Sequence, residues 1–269
     1  MIEKTVDGVT YLEFSLLKDI KWIKHCFSTR IGGVSQGVYE SMNFTFRPGE
    51  EKNVPENYRR LCEAVGFTYT ALTFSDQKHG TNIRRITRHD KGKGFYLEKD
   101  YRNIDGIVTN EAGIAMTTFH ADCTPIFLVD TENKAIGLVH SGWRGTVDRI
   151  VENAVNEMVK EFGTKPYDIL AGIGPCVSYD CFQVDYPVYE EFRQKFDFAL
   201  KYSKEEPGIR DKYLIDLKGI NRQMLMNMGV LEKNIEVSAR CTKCDDRLFF
   251  SHRRQGLKRG SMVAMMEII

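Results

Sequence analysis

The sequence predicts a mixed α/β fold built in layers, and three observations carry that reading. Short apolar runs rich in β-branched residues recur through the chain and have the character of strands in a largely covered sheet. Segments with apolar residues three and four apart lie between them and have the character of helices. The order is strands, then strand and helix in alternation, then a further helix and strand, which suits a layered α/β domain better than an all-parallel doubly wound one. No repeat, low-complexity tract or Pro/Ser-rich linker interrupts the 269 residues, so a single domain over residues 1–269 is expected.

The first helix is expected over Pro55–Val65, where proline suits the opening turn, Tyr58, Leu61, Cys62 and Val65 make an apolar face, and Gly66 is a stop. Strands are expected over Ile104–Thr109, Ile114–Phe119, Pro125–Val129 and Lys134–Val139. The strongest helix signal runs over Thr146–Phe162, with Val147, Ile150, Val151, Ala154, Val155, Met158 and Val159 on one face and Gly163 behind it. A strand over Ile169–Ile173, a helix over Pro187–Phe196, a helix over Asp216–Met228 capped by Asp216 and stopped by Gly229, and a strand over Ile235–Ala239 complete the pattern.

Lys and Arg number 38 against 37 Asp and Glu, a net charge of +1 at pH 7. So balanced a chain has no long-range field to gather nucleic acid or an anionic membrane, and neither partner is expected. No apolar run approaches the roughly 18 residues that span a bilayer. The N-terminus has neither the basic nor the apolar stretch of a signal peptide, so a cytoplasmic location is expected. Seven cysteines and six histidines make thirteen potential soft or borderline metal donors. The cysteine count is odd and the chain is large enough to bury a core without staples, so reduced thiols are expected.

Three segments have compositions unlike ordinary core or surface: Gln77-Lys-His-Gly, His120-Ala-Asp-Cys and Val139-His-Ser-Gly-Trp-Arg-Gly. Each places His or Cys at the edge of an apolar or Gly-rich element. His140 closes an expected strand and precedes the turn into the strong helix, where α/β proteins present ligands and catalytic groups. The N–H groups opening that helix, with Arg144, would suit an anion. A thiolate from Cys123 and two imidazoles from distant turns would supply three donors and leave a fourth tetrahedral position open, as in a catalytic zinc site. The same residues also read as a cysteine nucleophile with a histidine base, or as satisfied core side chains, and the residues alone leave all three readings standing.

Other groups read more plainly. Cys241-Thr-Lys-Cys244 has C-x-x-C spacing, but no second pair follows, so a complete structural zinc site is not expected. His120 is near enough to Cys123 to join its site, yet strand alternation can turn it away. His25 and His89 read as ordinary residues. Arg84, Arg85, Arg88, Lys91 and Lys93 are diluted by acidic neighbours and read as a solvated loop. Gly172-Ile-Gly-Pro-Cys176 lacks a phosphate-loop lysine and reads as a tight turn letting backbone approach the site.

Taken together, Phe27-Ser-Thr-Arg-Ile-Gly-Gly-Val-Ser, Gln77-Lys-His-Gly, Asp105-Gly-Ile-Val-Thr, Ala121-Asp-Cys-Thr-Pro, Val139-His-Ser-Gly-Trp-Arg-Gly-Thr, Gly172-Ile-Gly-Pro and Phe249-Phe-Ser-His-Arg-Arg resemble the laccase-domain or polyphenol oxidase family. Its members include zinc-dependent purine nucleoside phosphorylases with adenosine deaminase and methylthioadenosine phosphorylase activity, and some are called peptidoglycan editing factors. The resemblance implies mixed β-sheets in a sandwich-like core flanked by helices. It implies His79, Cys123 and His140 as ligands of Zn²⁺, with copper the alternative that the family's older name suggests. It also implies small-molecule substrates: purine nucleosides and phosphate.

On that reading Cys123 and His140 are catalytic, and Asp122 or Asp105, the carboxylates in the matched motifs, would shuttle the proton that leaves with the amine. Arg144, and by residue type Arg30, Arg47 and Arg59, would hold phosphate or ribose. Two other activities fit parts of the pattern: copper-dependent phenol oxidation, and a metal-free Cys/His hydrolase or cell-wall editing factor. Six scattered histidines without a His-x-His pair are few for a multi-copper relay.

Overall fold

The computed structural model describes residues 1–269. From the N-terminus run β1 (Ile2–Val6), β2 (Val9–Glu13), β3 (Ile23–Ser28), α1 (Asn53–Val65), β4 (Leu72–Phe74), β5 (Ile83–Arg85), β6 (Gly106–Thr109) and β7 (Ala115–His120). Next come β8 (Thr124–Asp130), β9 (Ala135–Ser141), α2 (Trp143–Val147), α3 (Ile150–Phe162), β10 (Ile169–Ile173), β11 (Gln183–Asp185) and α4 (Tyr186–Lys195). The chain closes with β12 (Ser203–Glu205), β13 (Lys212–Ile215), α5 (Leu217–Asn227), β14 (Ile235–Val237), α6 (His252–Gln255) and β15 (Met262–Ile268).

Two six-stranded mixed sheets, ordered β1-β2-β3-β15-β7-β4 and β14-β10-β8-β9-β6-β5, stack face to face, and a three-stranded sheet β11-β13-β12 lies beside them. Strand alternation explains why the central runs are apolar throughout. In β8, Phe127 and Val129 point between the large sheets, while Ile126 and Leu128 point to the helical layer of α3 and α5. In β15, Met262, Ala264 and Met266 join the inter-sheet core, while Val263 and Met265 meet α1. Each large sheet is thus covered on both faces, the condition under which a strand reads as a continuous hydrophobic run.

The layered α/β architecture agrees with the expectation, and four of the expected helical segments are helical. The strongest is not one helix. Arg149 sits at φ 63, in the left-handed region, and splits the segment into the five-residue α2 and the thirteen-residue α3. The pairs β1–β2 and β12–β13 and the central strand β15 carry no expectation from the sequence. The outer ones are short and half exposed, and β15 takes its strand character from partners far away in sequence.

Two connections build the site. Ala121, Asp122 and Cys123 carry the chain from β7 in the first large sheet to β8 in the second, with Asp122 at φ 87 to make the crossing. The β8–β9 register then sets Pro125 opposite His140 and Thr124 opposite Ser141, so the end of β9 lies beside Cys123. No helix is long and apolar enough to cross a membrane.

Candidate metal centre

His79, Cys123 and His140 converge: one donor atom from each lies within 4.8 Å of the other two. They come from the loop before β5, the inter-sheet crossing and the end of β9. His79 is exposed, Cys123 half-buried and His140 buried, so the cluster closes the floor of a cavity rather than lying inside the core.

Asp105 holds two of the three. Its carboxylate accepts the backbone N–H groups of Lys78, His79 and Gly80 at 2.9, 2.9 and 3.0 Å, wrapping the loop that keeps His79 at φ 61. Its Oδ1 also accepts Nδ1–H of His140 at 2.9 Å, and its backbone oxygen accepts the His140 amide. Burial opposes ionisation of Asp105, but His140 and the Lys78 and Gly80 amides hold its carboxyl below the usual range. Donation from Nδ1 leaves Nε2 of His140 as the free donor atom, the arrangement in which a carboxylate orients a metal-binding imidazole. Gln77 anchors the same loop to β7 by exchanging hydrogen bonds with the Phe119 backbone at 2.8 and 2.7 Å.

Burial also opposes ionisation of Cys123, yet the charge and hydrogen bond of His140, aided by His79, lower its thiol to about 6. Burial lowers His140, but the Cys123 thiolate and the Asp105 carboxylate raise it to about 9. Without a metal, the pair is a thiolate beside an imidazolium.

The space between these donors is kept open by a missing side chain. A Cβ on Gly142 would lie 2.6 Å from Nδ1 of His79 and 3.4 Å from Sγ of Cys123. One sulfur and two imidazole nitrogens match the three-ligand set of a catalytic zinc site with its fourth position open. Copper is served by the same donors.

The cavity above the cluster has about 370 Å³ of internal space, within the range of small-molecule sites. Trp143, Val177, Phe182 and Leu217 make an apolar wall, and Arg144, Arg253 and Arg259 bring positive charge. Arg259 is the notable one. Its Nη1 donates to the Gly260 carbonyl and the Ser261 hydroxyl, each at 3.1 Å, while its buried Nε has no partner. The sequence offers no cue to Arg259, which stands in an unremarkable Leu-Lys-Arg-Gly run. His252 and Arg253 also line the cavity and were within reach of sequence reasoning, since both lie in the Phe249-Phe-Ser-His-Arg-Arg segment.

The other expected site residues fall in different places. Asp122 borders the cavity, but its oxygens accept the Thr242 and Ser251 hydroxyls and the Arg253 amide, so it clamps the C-terminal segment against the site. Asp105 is fully buried behind the ligands. Both carboxylates are therefore positioning groups, not free proton carriers. Arg144 lines the cavity, with its guanidinium 4.2 Å from the Trp143 ring centre. Arg30 instead donates to the Glu40 and Asp246 carbonyls and stacks on Phe250. Arg47 is exposed outside the cavity lining, and Arg59 pairs with Glu56 and Glu63 on α1.

The helix-terminus anion site is also corrected. The Arg149 break leaves only the five-residue α2 at the cavity, and the long α3 begins at Ile150, away from its lining. Gly172 and Gly174 prove to be packing positions, because added Cβ atoms would strike Phe14 and Pro125 rather than enter the site. His120 does not join the ligand set. It contacts the Thr118 hydroxyl through Nε2 at 2.8 Å and the Cys123 carbonyl through Nδ1 at 3.2 Å, bracing the crossing. In the basic run, Arg84 and Lys93 pair with Asp90, Arg85 with Glu161 and Arg88 with Glu111.

The chain is similar to known proteins over most of its length. The family model described as "Multi-copper polyphenol oxidoreductase laccase" matches residues 24–269. The purine nucleoside phosphorylase YlmD of Geobacillus stearothermophilus is 35% identical over 243 residues, covering 89% of this chain and 88% of that protein. The adenosine deaminase RL5 of an unknown prokaryotic organism is 32% identical over 237 residues, covering 87% and 90%. The crystal structure of the hypothetical protein YfiH of Bacillus licheniformis matches with a TM-score of 0.90 and 27% identity over 99% of both chains. With the family model matching residues 24–269 and relatives of similar sequence and fold over nearly its whole length, the chain belongs to the multi-copper polyphenol oxidoreductase laccase family.

Proposed function

We propose that the chain is a zinc-dependent purine nucleoside enzyme, cleaving nucleosides with phosphate and deaminating adenosine. One observation carries the reading: a two-histidine, one-cysteine donor set opens into a cavity with an aromatic wall and a cationic side chain whose buried Nε lacks a partner. The names of the similar proteins, a purine nucleoside phosphorylase and an adenosine deaminase, support it.

His79, Cys123 and His140 would hold the Zn²⁺, which supplies a Lewis acid with one coordination position open to substrate or water. The rest falls to this chain's own groups. Trp143 and Phe182 cover the faces of a purine and exclude water. Arg259, in the cavity lining, binds phosphate through its guanidinium, and Arg144 or Arg253 neutralises the remaining charge. In phosphorolysis a phosphate oxygen forms the bond to C1′ as the bond from C1′ to N9 breaks, the purine leaving with the electron pair. Arginine at the phosphate holds the nucleophile in line and stabilises charge on it. His252, exposed in the cavity lining, would give a proton to the departing purine or amine.

The test is Arg259→Gln in zinc-loaded protein. Phosphorolysis of inosine to hypoxanthine and ribose 1-phosphate should show a phosphate KM raised by about tenfold or more, the loss of one charge-assisted contact of about 1.5–3 kcal/mol. Adenosine deamination, which uses no phosphate, should change little. Zinc-loaded wild type that converts neither nucleoside would overturn the proposal. The second reading, phenol oxidation by copper, draws on the donor set, since one Cys with two His also suits that metal. It predicts phenol turnover in the copper-loaded protein that vanishes on reloading with zinc.

A further inference from the structure

Three of the remaining cysteines stand together on the outer side of the cavity wall. Sγ donors of Cys181, Cys241 and Cys244 all lie within 4.8 Å of one another, with Cys181 and Cys244 separated by 3.3 Å. This is too long for a disulfide, whose S–S bond is about 2.05 Å. It is also closer than the roughly 3.8 Å sulfur–sulfur edge set by tetrahedral Zn–S bonds of about 2.3 Å, a difference that small side-chain rotations absorb. Cys181 lies more than fifty residues from the C-x-x-C pair in sequence, which is why spacing alone shows only half a site.

The backbone brings the two pieces together independently of the thiols. Cys176 and Cys241 form a parallel β-bridge, and the Thr242 amide donates to the Cys176 carbonyl at 3.0 Å. The Ser178 amide donates to Sγ of Cys241 at 3.2 Å. The contrast with the other free cysteines is chemical. Cys26, Cys62 and Cys176 are sealed in the core, and burial pushes their thiols up. Cys244 is exposed, so an ion can reach the cluster from solvent.

We propose that Cys181, Cys241 and Cys244 form a second metal site, binding one zinc ion through three thiolates with water in the fourth position. On binding, each coordinating thiol gives up its proton to solvent as its Zn–S bond forms. The site has a structural role. One of its arms leads directly into Phe182 of the cavity wall, and the other carries Thr242, which holds Asp122. A zinc ion there ties the wall to the clamp that positions the crossing between the large sheets.

The two sites are separated with His79→Ala/His140→Ala, which dismantles the first, and Cys181→Ser/Cys244→Ser, which dismantles the second. Elemental analysis of protein purified under reducing conditions should give about two zinc ions per chain for wild type and about one for either double variant. The quadruple variant should bind none. With cobalt in place of zinc, His79→Ala/His140→Ala should absorb through sulfur-to-metal charge transfer about threefold more strongly than Cys181→Ser/Cys244→Ser, since three thiolates replace one. The single variant Cys244→Ser, at an exposed position, should still fold and lose its second zinc to a chelator that leaves wild type loaded. The proposal is overturned if His79→Ala/His140→Ala holds no zinc, or if its zinc survives the two serine substitutions. It is equally overturned if intact mass shows Cys181 and Cys244 joined as a disulfide in place of the metal.

Discussion

Asp105→Asn tests how the centre is assembled, because one carboxylate serves four side-chain-directed donors. Oδ1 accepts the His79 amide and His140 Nδ1–H, and Oδ2 accepts the Lys78 and Gly80 amides. An asparagine has one accepting oxygen, and either orientation fails. With its NH2 in the place of Oδ2, the part-buried amides of Lys78 and Gly80 lose their acceptor. With its NH2 in the place of Oδ1, the His79 amide is orphaned and His140 must accept at Nδ1, which puts the proton on the Nε2 that should bind metal. An orphaned donor costs about 1–3 kcal/mol when fully buried, and these two are part-buried, so the metal-free protein should lose about 2 kcal/mol in the first orientation. Loss of the orienting carboxylate should weaken metal binding about 10–100-fold. Chelator competition measures the second effect and denaturant unfolding of the stripped protein the first. A variant that matches wild type in both would refute the idea that Asp105 sets the His79 loop and the His140 tautomer.

Gly142→Ala should empty the His79–Cys123–His140 centre with a modest effect on metal-free stability, since the added methyl occupies the space between His79 and Cys123; unchanged zinc content after dialysis would contradict this. Zinc added at about 1,000 times its Kd should stabilise the stripped Cys181→Ser/Cys244→Ser protein, which keeps only the first site, by about 4 kcal/mol, and this gain should vanish when Cys123→Ala is added, as read from the shift of the unfolding midpoint. Acid stability should depend on His25, whose neutral Nε2 accepts the Phe14 amide at 2.9 Å and whose pKa is lowered to about 4 by burial first and the Lys4 charge second. Unfolded histidine binds its proton near pH 6.5, so this contribution is complete above about 6.5, declines as pH falls, and is gone below about 4. The window corresponds to at most about 3 kcal/mol. His25→Gln should flatten the stability profile between those limits, and a profile parallel to wild type would rule the assignment out.

The elements legible in the sequence were those whose pattern is local. α1, α3 and α5 announce themselves by periodicity and stop signals, and β8, β9 and β10 by unbroken apolar runs that follow from burial on both faces. The ligand trio was legible as a set of odd residues at element ends, with its metal reading coming from the resemblance. What escaped depends on tertiary placement. Arg149 breaks a helix whose apolar periodicity runs straight through it. Arg259 enters the cavity because the segment after α6 is folded back onto the site by Asp122. Arg30 and Arg59 are arginines in suggestive segments, but their partners are local carbonyls and carboxylates, which residue type alone does not reveal. Cys181 joins Cys241 and Cys244 through the tertiary pairing at Cys176 and the Ser178 amide, which sequence spacing does not show.

β15 sits between β3 and β7, in the middle of the first large sheet, and its Val263 amide reaches the Ser28 hydroxyl across 235 residues. Until Met262–Ile268 has been synthesised, β3 and β7 each offer an unpaired edge, and the inter-sheet core lacks the side chains of its central strand. Contacts of such sequence separation delay folding, because the chain must close a very long loop before they repay it. The His79–Cys123–His140 cluster draws on β7, through the crossing that follows it, and on β9 in the opposite sheet. Assembly of this cluster therefore waits on β15, and a chain truncated before residue 262 should remain open to protease and retain no metal at His79, Cys123 and His140.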